Sequence, residues 1–472
     1  MSGAPATPAS LTQRQLTLAT ILVATGAVLS SGSGSAIIVT YPTLTAEFGV
    51  APATISWVSL AYNLVAASTL TIFGRLADMR GRKRLYGLGL VIFIVGSVAC
   101  ALSRDVATLI AWRVLQGIGG ALISANSVAY LVEVYPANRR GLVVAIWEAG
   151  IATGFAAGPV IGGLLLSAFS WPSVYLASLP IVGVMLLMLP RFMIEPPRTR
   201  SPQSFDFAGA ALFGIGVAAL LYAVTESYRL GWTSLPVAGS LVVSLVCTAL
   251  FILVERRITQ PMVDLRMFAR PTFSAGNLAK VFGYFPFSAN GFLLPFYLDR
   301  ALGLPPAVAG PFLTPLPIGM FVSSLLAGPL SDRVGTRLLA PAGLAIQAIA
   351  CLMLAFASPE HGVLPVVIAP LLAGIGIGTF IAPNDSAILG ATPPGRLGVA
   401  AGIMGVSRTL GLLLGTSAAA TLLSARLVAH AGAFLPSFRE VYLAITAITL
   451  AGIYFAAVRD APVLANDRNP AP

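Results

Sequence analysis

The sequence is poor in charge. Asp, Glu, Lys and Arg make up only 10% of its 472 residues, whereas 57% are hydrophobic. Ordinary soluble domains carry about 25% charged residues, so this composition excludes a soluble globular protein. The mean hydropathy of +0.88 points the same way. We therefore expect an integral membrane protein.

Lysine and cysteine are also scarce, and their positions exclude further classes. Neither Lys83 nor Lys280 stands in a G-K-[ST] context, so the chain has no phosphate-cradling loop and no ATPase of its own. Cys100, Cys247 and Cys351 lie inside apolar segments, without the spacing of a disulfide framework or a metal site. We expect no enzyme activity, no catalytic residue, no metal and no cofactor.

The basic excess does not indicate a nucleic acid partner. The formal net charge is +11, but the basic residues stand in short loops between apolar segments. Most fall on one predicted face of the membrane, and the cytoplasmic face is the one that collects Arg and Lys. We therefore place both chain termini in the cytoplasm, in a multi-pass protein of the cell (inner) membrane. The basic residues on the opposite face are Arg104, Arg229, Arg300, Arg426 and Arg439.

Apolar segments long enough to cross a bilayer run along the whole chain. A spanning helix needs about 20 apolar residues, and fourteen segments meet that length. The loops are short, and an even number of spans returns both termini to one side. The predicted spans are 16–40, 54–74, 85–103, 106–132, 141–166, 172–193, 206–225, 234–255, 272–298, 306–330, 338–357, 363–390, 397–424 and 438–459.

Parts of the chain are repeated. Residues 74–84 have a shorter counterpart at 328–337, and 117–141 match 374–398. Gly-rich helices can resemble one another by composition alone, but the nearly constant offset favours two halves of a secondary transporter. The predicted fold is all-α, with 14 transmembrane helices in two pseudo-symmetric six-helix bundles plus two inserted central helices. Its parts are a cytoplasmic tail (1–15), an N-terminal bundle (16–193), the inserted helices (206–255), a C-terminal bundle (272–459) and a second cytoplasmic tail (460–472).

Three motifs follow one another in the first half. They are GRLADMRGRK at 74–83, RVLQGIGG at 113–120 and GFAAGPVIGG at 154–163. Together they resemble the first-loop, fourth-helix and fifth-helix motifs of the major facilitator superfamily, specifically of its fourteen-helix drug:proton antiporters. The resemblance covers residues 15–460. It implies a secondary active exporter of amphipathic organic compounds of the drug or antibiotic type, driven by proton antiport with alternating access.

The resemblance also implies the partners. They are a lipophilic or amphipathic small molecule, protons and the lipid bilayer, with no nucleic acid, no ATP and a monomeric state. The alternative is a proton-coupled or facilitative transporter that imports a specific metabolite. A membrane scaffold or sensor is disfavoured, because the short loops leave little outside the helices to bind a partner.

Two groups of residues have predicted structural roles in transport. Asp78 ends the second helix, where a carboxylate can face a helix N-terminus and nearby arginines. A contact formed in one conformation and broken in the other would act as a gate, while a solvated loop charge is the alternative. Met79 replaces the family's usual basic residue. The gating candidates are Gly74, Asp78, Arg80, Gly81, Arg82, Lys83, Asp332 and Arg333. Close helix packing is assigned to Gly154, Gly158, Pro159, Gly162 and Gly163.

Charged residues inside the predicted spans are candidates for proton coupling, because each is costly in the bilayer unless paired or hydrated. The candidates are Arg113, Glu148, Asp385 and Arg408, and for Arg113 the role follows from the resemblance. Snorkelling to the nearest surface is the alternative for Arg113 and Glu148. An Asp385–Arg408 contact would neutralise both groups, as a coupling pair or a purely structural one. Lys280 is expected to snorkel.

Helix one departs from the family pattern. The usual acidic residue would fall at Ser33, so proton coupling must use Glu148 or Asp385 or follow another mechanism. The surrounding Ser/Gly run either lines a polar cavity or loosens helix packing, and we favour the cavity. The aromatic residues of helix nine suit flat lipophilic molecules. Candidates for the substrate cavity are Ser33, Ser35, Gln116, Trp147, Tyr284, Phe287 and Asn290.

Overall fold

Every element in the computed structural model is helical over the residues that it describes, which are 13–135, 140–195, 207–258, 265–392 and 397–458. The helices are α1 (Gln13–Ala36), α2 (Tyr41–Glu47), α3 (Pro52–Arg80), α4 (Arg82–Ala101), α5 (Val106–Val134), α6 (Arg140–Ala168), α7 (Trp171–Leu176), α8 (Ser178–Phe192), α9 (Phe207–Leu230), α10 (Leu235–Arg257), α11 (Pro271–Arg300), α12 (Pro306–Ala309), α13 (Pro315–Val334), α14 (Thr336–Ala355), α15 (Leu364–Gly390), α16 (Leu397–Ala429) and α17 (Phe434–Ala457).

Twelve helical segments within these ranges are long and apolar enough to cross a membrane, against the fourteen predicted. The helices α9 and α11 make the difference. In α9 the described apolar stretch is Ala211–Ser227, which is shorter than a full span. In α11, a helix of 30 residues, Asn277, Lys280 and Asn290 interrupt the apolar sequence. The structure therefore confirms a polytopic helical protein and leaves the fourteen-span topology as a proposal.

Helix starts and turns follow from local chemistry. Between α3 and α4, Gly81 adopts a φ of +106°, a conformation that side chains rarely tolerate, and Gly335 does the same between α13 and α14 with +90°. At the start of α5 the backbone N–H of Thr108 donates to the Asp105 carboxylate at 2.9 Å. This bond stabilises the charged form and holds the pKa of Asp105 below its usual value.

Helices of the first and second parts of the chain pack in the same pattern. α1 lies on α6, and both α3 and α4 lie on α5; correspondingly α11 lies on α16, and both α13 and α14 lie on α15. The hairpin of α9 and α10 stands apart from this pattern. Its α9 packs on α3 and on α16, and thus covers the line along which the two sets of helices meet.

The two ends of the molecule differ in packing. We call the end with the α3–α4 turn the Gly81 end and the opposite one the Trp171 end. At the Trp171 end, one apolar cluster joins both sets of helices, with Leu44 and Trp171 packed in the same core as Phe296 and Phe438. At the Gly81 end the clusters are separate: one holds Tyr130, and the other holds Phe273 with Ile403. Apolar packing therefore closes the Trp171 end.

Candidate functional site

Arg113 lies in a fully buried polar network between α3, α4 and α5, with a relative exposure of 1%. Its Nε donates to the carbonyl oxygen of Val58 at 2.7 Å, and its guanidinium also donates to the side-chain oxygen of Gln116. Gln116 in turn donates to the Ser97 hydroxyl at 2.8 Å. The guanidinium carbon stands 4.4 Å from the centre of the Tyr62 ring, within cation–π range.

The described partners of this arginine are all neutral groups. Among the residues that the structure describes, no carboxylate lies within ion-pair distance of Arg113. Because the side chain is enclosed, it does not snorkel to the surface. Gln116, predicted to line the substrate cavity, is instead buried beside Arg113 and occupied by it.

The Ser/Gly run of α1 packs against α6 more than it lines an open space. The Ser35 hydroxyl is buried and donates to the Gly154 carbonyl at 3.1 Å. A Cβ on Gly154 would come within 2.8 Å of the Gly32 nitrogen. This corrects the expectation for Ser35, because close helix contact accounts for its position. Ser33 is half-buried.

The fifth-helix motif makes two different contacts. Gly154, Gly158 and Gly162 lie against α1, where an added Cβ would press on its backbone. On another face of α6, Pro159 lies against Gly310, and a Cβ on Gly163 would stand 3.1 Å from the Pro306 carbonyl carbon. Near that point the backbone N–H of Ala307 donates to the Ser167 hydroxyl at 2.8 Å. The motif therefore joins α6 both to its own set of helices and to α12.

A buried ion pair connects α11 and α15. Lys280 Nζ lies 2.7 and 2.9 Å from the two carboxylate oxygens of Asp385. The Lys280 side chain is 6% exposed and that of Asp385 is 25% exposed. The expectation that Lys280 snorkels was wrong, because Asp385 supplies its counter-charge. The Asp385–Arg408 contact does not form either, although Arg408 is exposed and near enough to interact electrostatically with both members of the pair.

Polar side chains around the pair fix the helices that carry it. Asn384 donates to the Gly276 carbonyl at 3.0 Å and ties α15 to α11. The Ser407 hydroxyl donates to the Asn277 side-chain oxygen at 3.1 Å and ties α16 to α11. Sequence reasoning missed these three side chains. The available signal was Asn277 three residues before Lys280, which puts two polar groups on one face of an apolar helix.

Of the remaining candidates for the substrate cavity, some are buried by packing and others keep part of their surface exposed. Tyr284 is buried and meets Phe287 edge-on, with ring centres 6.2 Å apart. Asn290 is fully buried, and its side-chain oxygen accepts a hydrogen bond from the Tyr442 hydroxyl of α17 at 2.8 Å. Trp147 is half-buried and packs against an apolar cluster. Phe287, also half-buried, is the aromatic candidate of α11 with exposed surface.

The basic loop at the Gly81 end is held by partners that the sequence analysis did not identify. Arg82 forms an ion pair of 2.6 Å with Glu133 near the end of α5. Lys83 donates to the Pro190 carbonyl at 2.8 Å near the end of α8. Glu195 stands over Gly81, where an added Cβ would lie 2.8 Å from its carboxyl carbon. The signal for Glu133 and Glu195 was their place at the ends of neighbouring helices.

Four predicted side chains lie outside the described part of the structure. They are those of Asp78, Glu148, Asp332 and Arg333. The roles assigned to them remain predictions.

Comparison with known proteins places these features in a family. The sequence matches the profile described as Major Facilitator Superfamily over residues 23–264 and 277–471. It is 32% identical over 404 residues to the riboflavin transporter RibZ of Clostridioides difficile (strain 630), covering 86% of this chain and 87% of that protein. It is 34% identical over 414 residues to the multidrug resistance protein Stp of Mycobacterium tuberculosis, covering 86% of this chain and 76% of Stp.

The fold is also similar to a solved structure. That structure is a bacterial homologue of the human lysosomal transporter Spinster in an inward-facing, unoccupied conformation. The TM-score is 0.72 with 16% sequence identity, and the match covers 96% of this chain and all of that one.

Proposed function

Because this chain belongs to the major facilitator superfamily, we propose that it is a secondary active exporter of amphipathic organic compounds that works by proton antiport with alternating access. The observation that carries the proposal is the Lys280–Asp385 ion pair, a titratable contact inside a helical membrane protein. The similarity to Stp, named for multidrug resistance, favours export of drug-type compounds.

Asp385 is the proposed proton carrier among the described residues. A proton bound to its carboxylate removes the negative charge and so weakens the contact with Lys280. Lys280 and Arg408 are the charged groups that act on Asp385. Glu148 is a second candidate carrier, and Arg113 is the proposed fixed charge of the coupling machinery.

The proposed topology has fourteen spans, with α9 and α10 as an inserted pair between two six-helix bundles and both termini in the cytoplasm. The Gly81 end then faces the cytoplasm. Because, over the described residues, a shared apolar cluster closes the Trp171 end while the clusters at the Gly81 end are separate, we assign the molecule to an inward-open state. The Arg82–Glu133 and Lys83–Pro190 contacts belong to this state and support the gating role of the basic loop.

Proteoliposomes with an imposed pH gradient test the proton pathway. The protein carrying both Glu148→Gln and Asp385→Asn is expected to insert and fold but to lose ΔpH-driven transport of a fluorescent substrate, by about tenfold or more. Substrate exchange at equal pH should continue, because it needs no net proton movement. Glu360→Gln, in the exposed loop before α15, is the control variant. Full ΔpH-driven transport by the double variant would contradict the proposal.

A transporter for a specific metabolite is the second candidate. The similarity to a riboflavin transporter over most of both chains favours it, and so does Ser33 in place of an acid in the first helix. Counterflow with riboflavin and with a panel of antibiotics separates the two. Exchange confined to riboflavin or another single metabolite would favour this second function.

A further inference from the structure

We propose that the transported compound is an organic anion and that Arg408 binds its acidic group, with the Lys280–Asp385 pair beside it. The inference deepens the proposed transport function and rests on it. Between α11, α15 and α16 the described side chains include two cations, Lys280 and Arg408, and one carboxylate, Asp385, close enough to interact electrostatically.

Asp385 cannot neutralise both cations. Both of its carboxylate oxygens lie within hydrogen-bond distance of Lys280 Nζ, at 2.7 and 2.9 Å. In the described ranges no acidic side chain forms an ion pair with Arg408. Since the guanidinium stays charged under all ordinary conditions, the cluster keeps one surplus positive charge.

Neighbouring residues of α16 show which way Arg408 faces. Ser407 and Gly411 face α11, since Ser407 bonds Asn277 and a Cβ on Gly411 would meet the Val281 backbone. On another face of α16, Leu413 and Ser417 pack against α3 and α9, and Ser417 shares a hydrogen bond of 2.8 Å with Thr225. Arg408 borders the face toward α11, because it stands two turns before Gly415, whose added Cβ would meet the Phe285 carbonyl oxygen of α11. Its electrostatic interaction with Lys280 and Asp385 agrees with this position beside the ion pair.

Arg408 is exposed although it lies within the part of α16 that crosses the membrane. It stands eleven residues into α16, which is about 16 Å along the helix axis at 1.5 Å per residue. The whole of α16 has 33 residues and is about 50 Å long, so centring it on a hydrocarbon core of about 30 Å puts Arg408 about 7 Å inside that core. An exposed guanidinium at that depth needs water or an anionic partner, and a substrate acid group supplies one.

Beside the ion pair, the described side chains offer no second carboxylate to a cationic compound. Asp385 is already paired, and Arg113 adds a further positive charge that only neutral groups contact. Half-buried Phe287 lies two turns along α11 from Lys280 and offers apolar surface to the rest of the molecule. The arrangement suits a flat apolar molecule that bears a carboxylate, sulfonate or phosphate.

Two dyes with the same xanthene ring system test the sign of the charge. Fluorescein is anionic, and a rhodamine ester is cationic. Binding to the full-length protein is measured by fluorescence anisotropy in phosphatidylcholine vesicles, which contain no anionic lipid. We expect fluorescein to bind at least about tenfold more tightly than the rhodamine ester, and the affinity to fall as salt rises. Equal binding of the two dyes would overturn the inference.

Variants of Arg408 test the residue itself. Arg408→Gln is expected to weaken fluorescein binding about tenfold or more, whereas Arg408→Lys, which keeps the charge, should retain most of it. Arg104→Gln, in an exposed loop, is the matched control. An unchanged affinity in Arg408→Gln would contradict the assignment. So would loss of fluorescein binding on adding phosphatidylglycerol, because the site would then hold a lipid headgroup.

The anion site and proton-driven export can each fail without the other. If a pH gradient drives the rhodamine ester and not fluorescein, export stands and the anion inference fails. If fluorescein binds through Arg408 but no dye responds to a pH gradient, the anion site stands and proton antiport fails.

Discussion

Two buried cations in this molecule are stabilised by opposite means. Arg113 in α5 is enclosed completely and is held by the Val58 carbonyl, the Gln116 side chain and the Tyr62 ring. Lys280 in α11 is held by one carboxylate, Asp385, which is still 25% exposed. The first cation has several neutral partners, and the second has one charged partner that can be neutralised.

This difference separates a fixed charge from a switchable one. No proton in the ordinary pH range changes the partners of Arg113, because a carbonyl, an amide and an aromatic ring do not titrate there. The carboxylate of Asp385 is an acid, and a proton bound to it would leave Lys280 without its counter-ion. Each of the following changes tests this contrast between the early helices (α1–α8) and the late helices (α11–α17).

Lys280→Met gives the largest expected effect. Removing Lys280 takes away both hydrogen bonds to the Asp385 carboxylate and leaves it with Arg408, which forms no ion pair with it; the loss is about 3 kcal/mol, reduced by the partial exposure of Asp385. The double variant Lys280→Met with Asp385→Asn should recover most of this loss, since neither member of the pair is then charged. Thermal unfolding of the purified protein, followed by intrinsic fluorescence, measures both. If the double variant were as unstable as the single one, the pair would not be the source of the loss.

Arg113→Lys should follow, at about 1–3 kcal/mol. The ammonium keeps the charge but not the planar fork that reaches Val58 and Gln116 together, and its stacking on Tyr62 is weaker. Adding a neutral substitution at one partner of residue 113 should not restore the stability of Arg113→Lys. The Lys280–Asp385 pair differs, because there a second substitution does restore it. The same unfolding measurement applies, with Arg104→Lys as the exposed control. Stability equal to that of the control would mean that charge alone matters at this position.

The two glycine turns give a smaller, paired test. Gly81→Ala and Gly335→Ala both place a side chain at positive φ, which costs about 1–3 kcal/mol each. Gly81→Ala should cost more, because its Cβ would lie 2.8 Å from the Glu195 carboxyl carbon, whereas nothing lies within 4 Å at Gly335. Chemical unfolding of both variants gives the difference. A larger loss at Gly335 would contradict the tighter packing of the early turn.

Arg82→Gln should have the smallest effect on stability, at most about 1 kcal/mol, because the Arg82–Glu133 pair is partly exposed. Its contribution should shrink further at high salt. Arg84→Gln, an exposed neighbour in the same turn of α4, serves as the control. A loss of several kcal/mol in Arg82→Gln would show that this contact stabilises the fold and not merely one conformation.

The sequence predicted what depends on composition and spacing. The apolar helices and the duplicated glycine turns lie where expected, because helix length and positive φ are local properties. Side-chain pairings between distant helices could not be predicted from the sequence. Lys280 and Asp385 are separated by more than 100 positions, whereas Gln116 follows Arg113 by three residues on one helix, a spacing that the sequence does show. The fourteen-span topology stays a prediction at α9 and α11, where described polar side chains such as Thr225 and Lys280 have partners on neighbouring helices.

The apolar closure of the Trp171 end has a thermodynamic consequence. Opening that end would expose the surfaces that now bury Leu44, Phe296 and Phe438 together. Exposure of apolar surface to water carries a positive heat-capacity change, so the enthalpy and entropy of opening both vary with temperature. We therefore expect the conformational equilibrium, and with it the rate of any cycle limited by opening, to curve with temperature and not to follow a single activation energy.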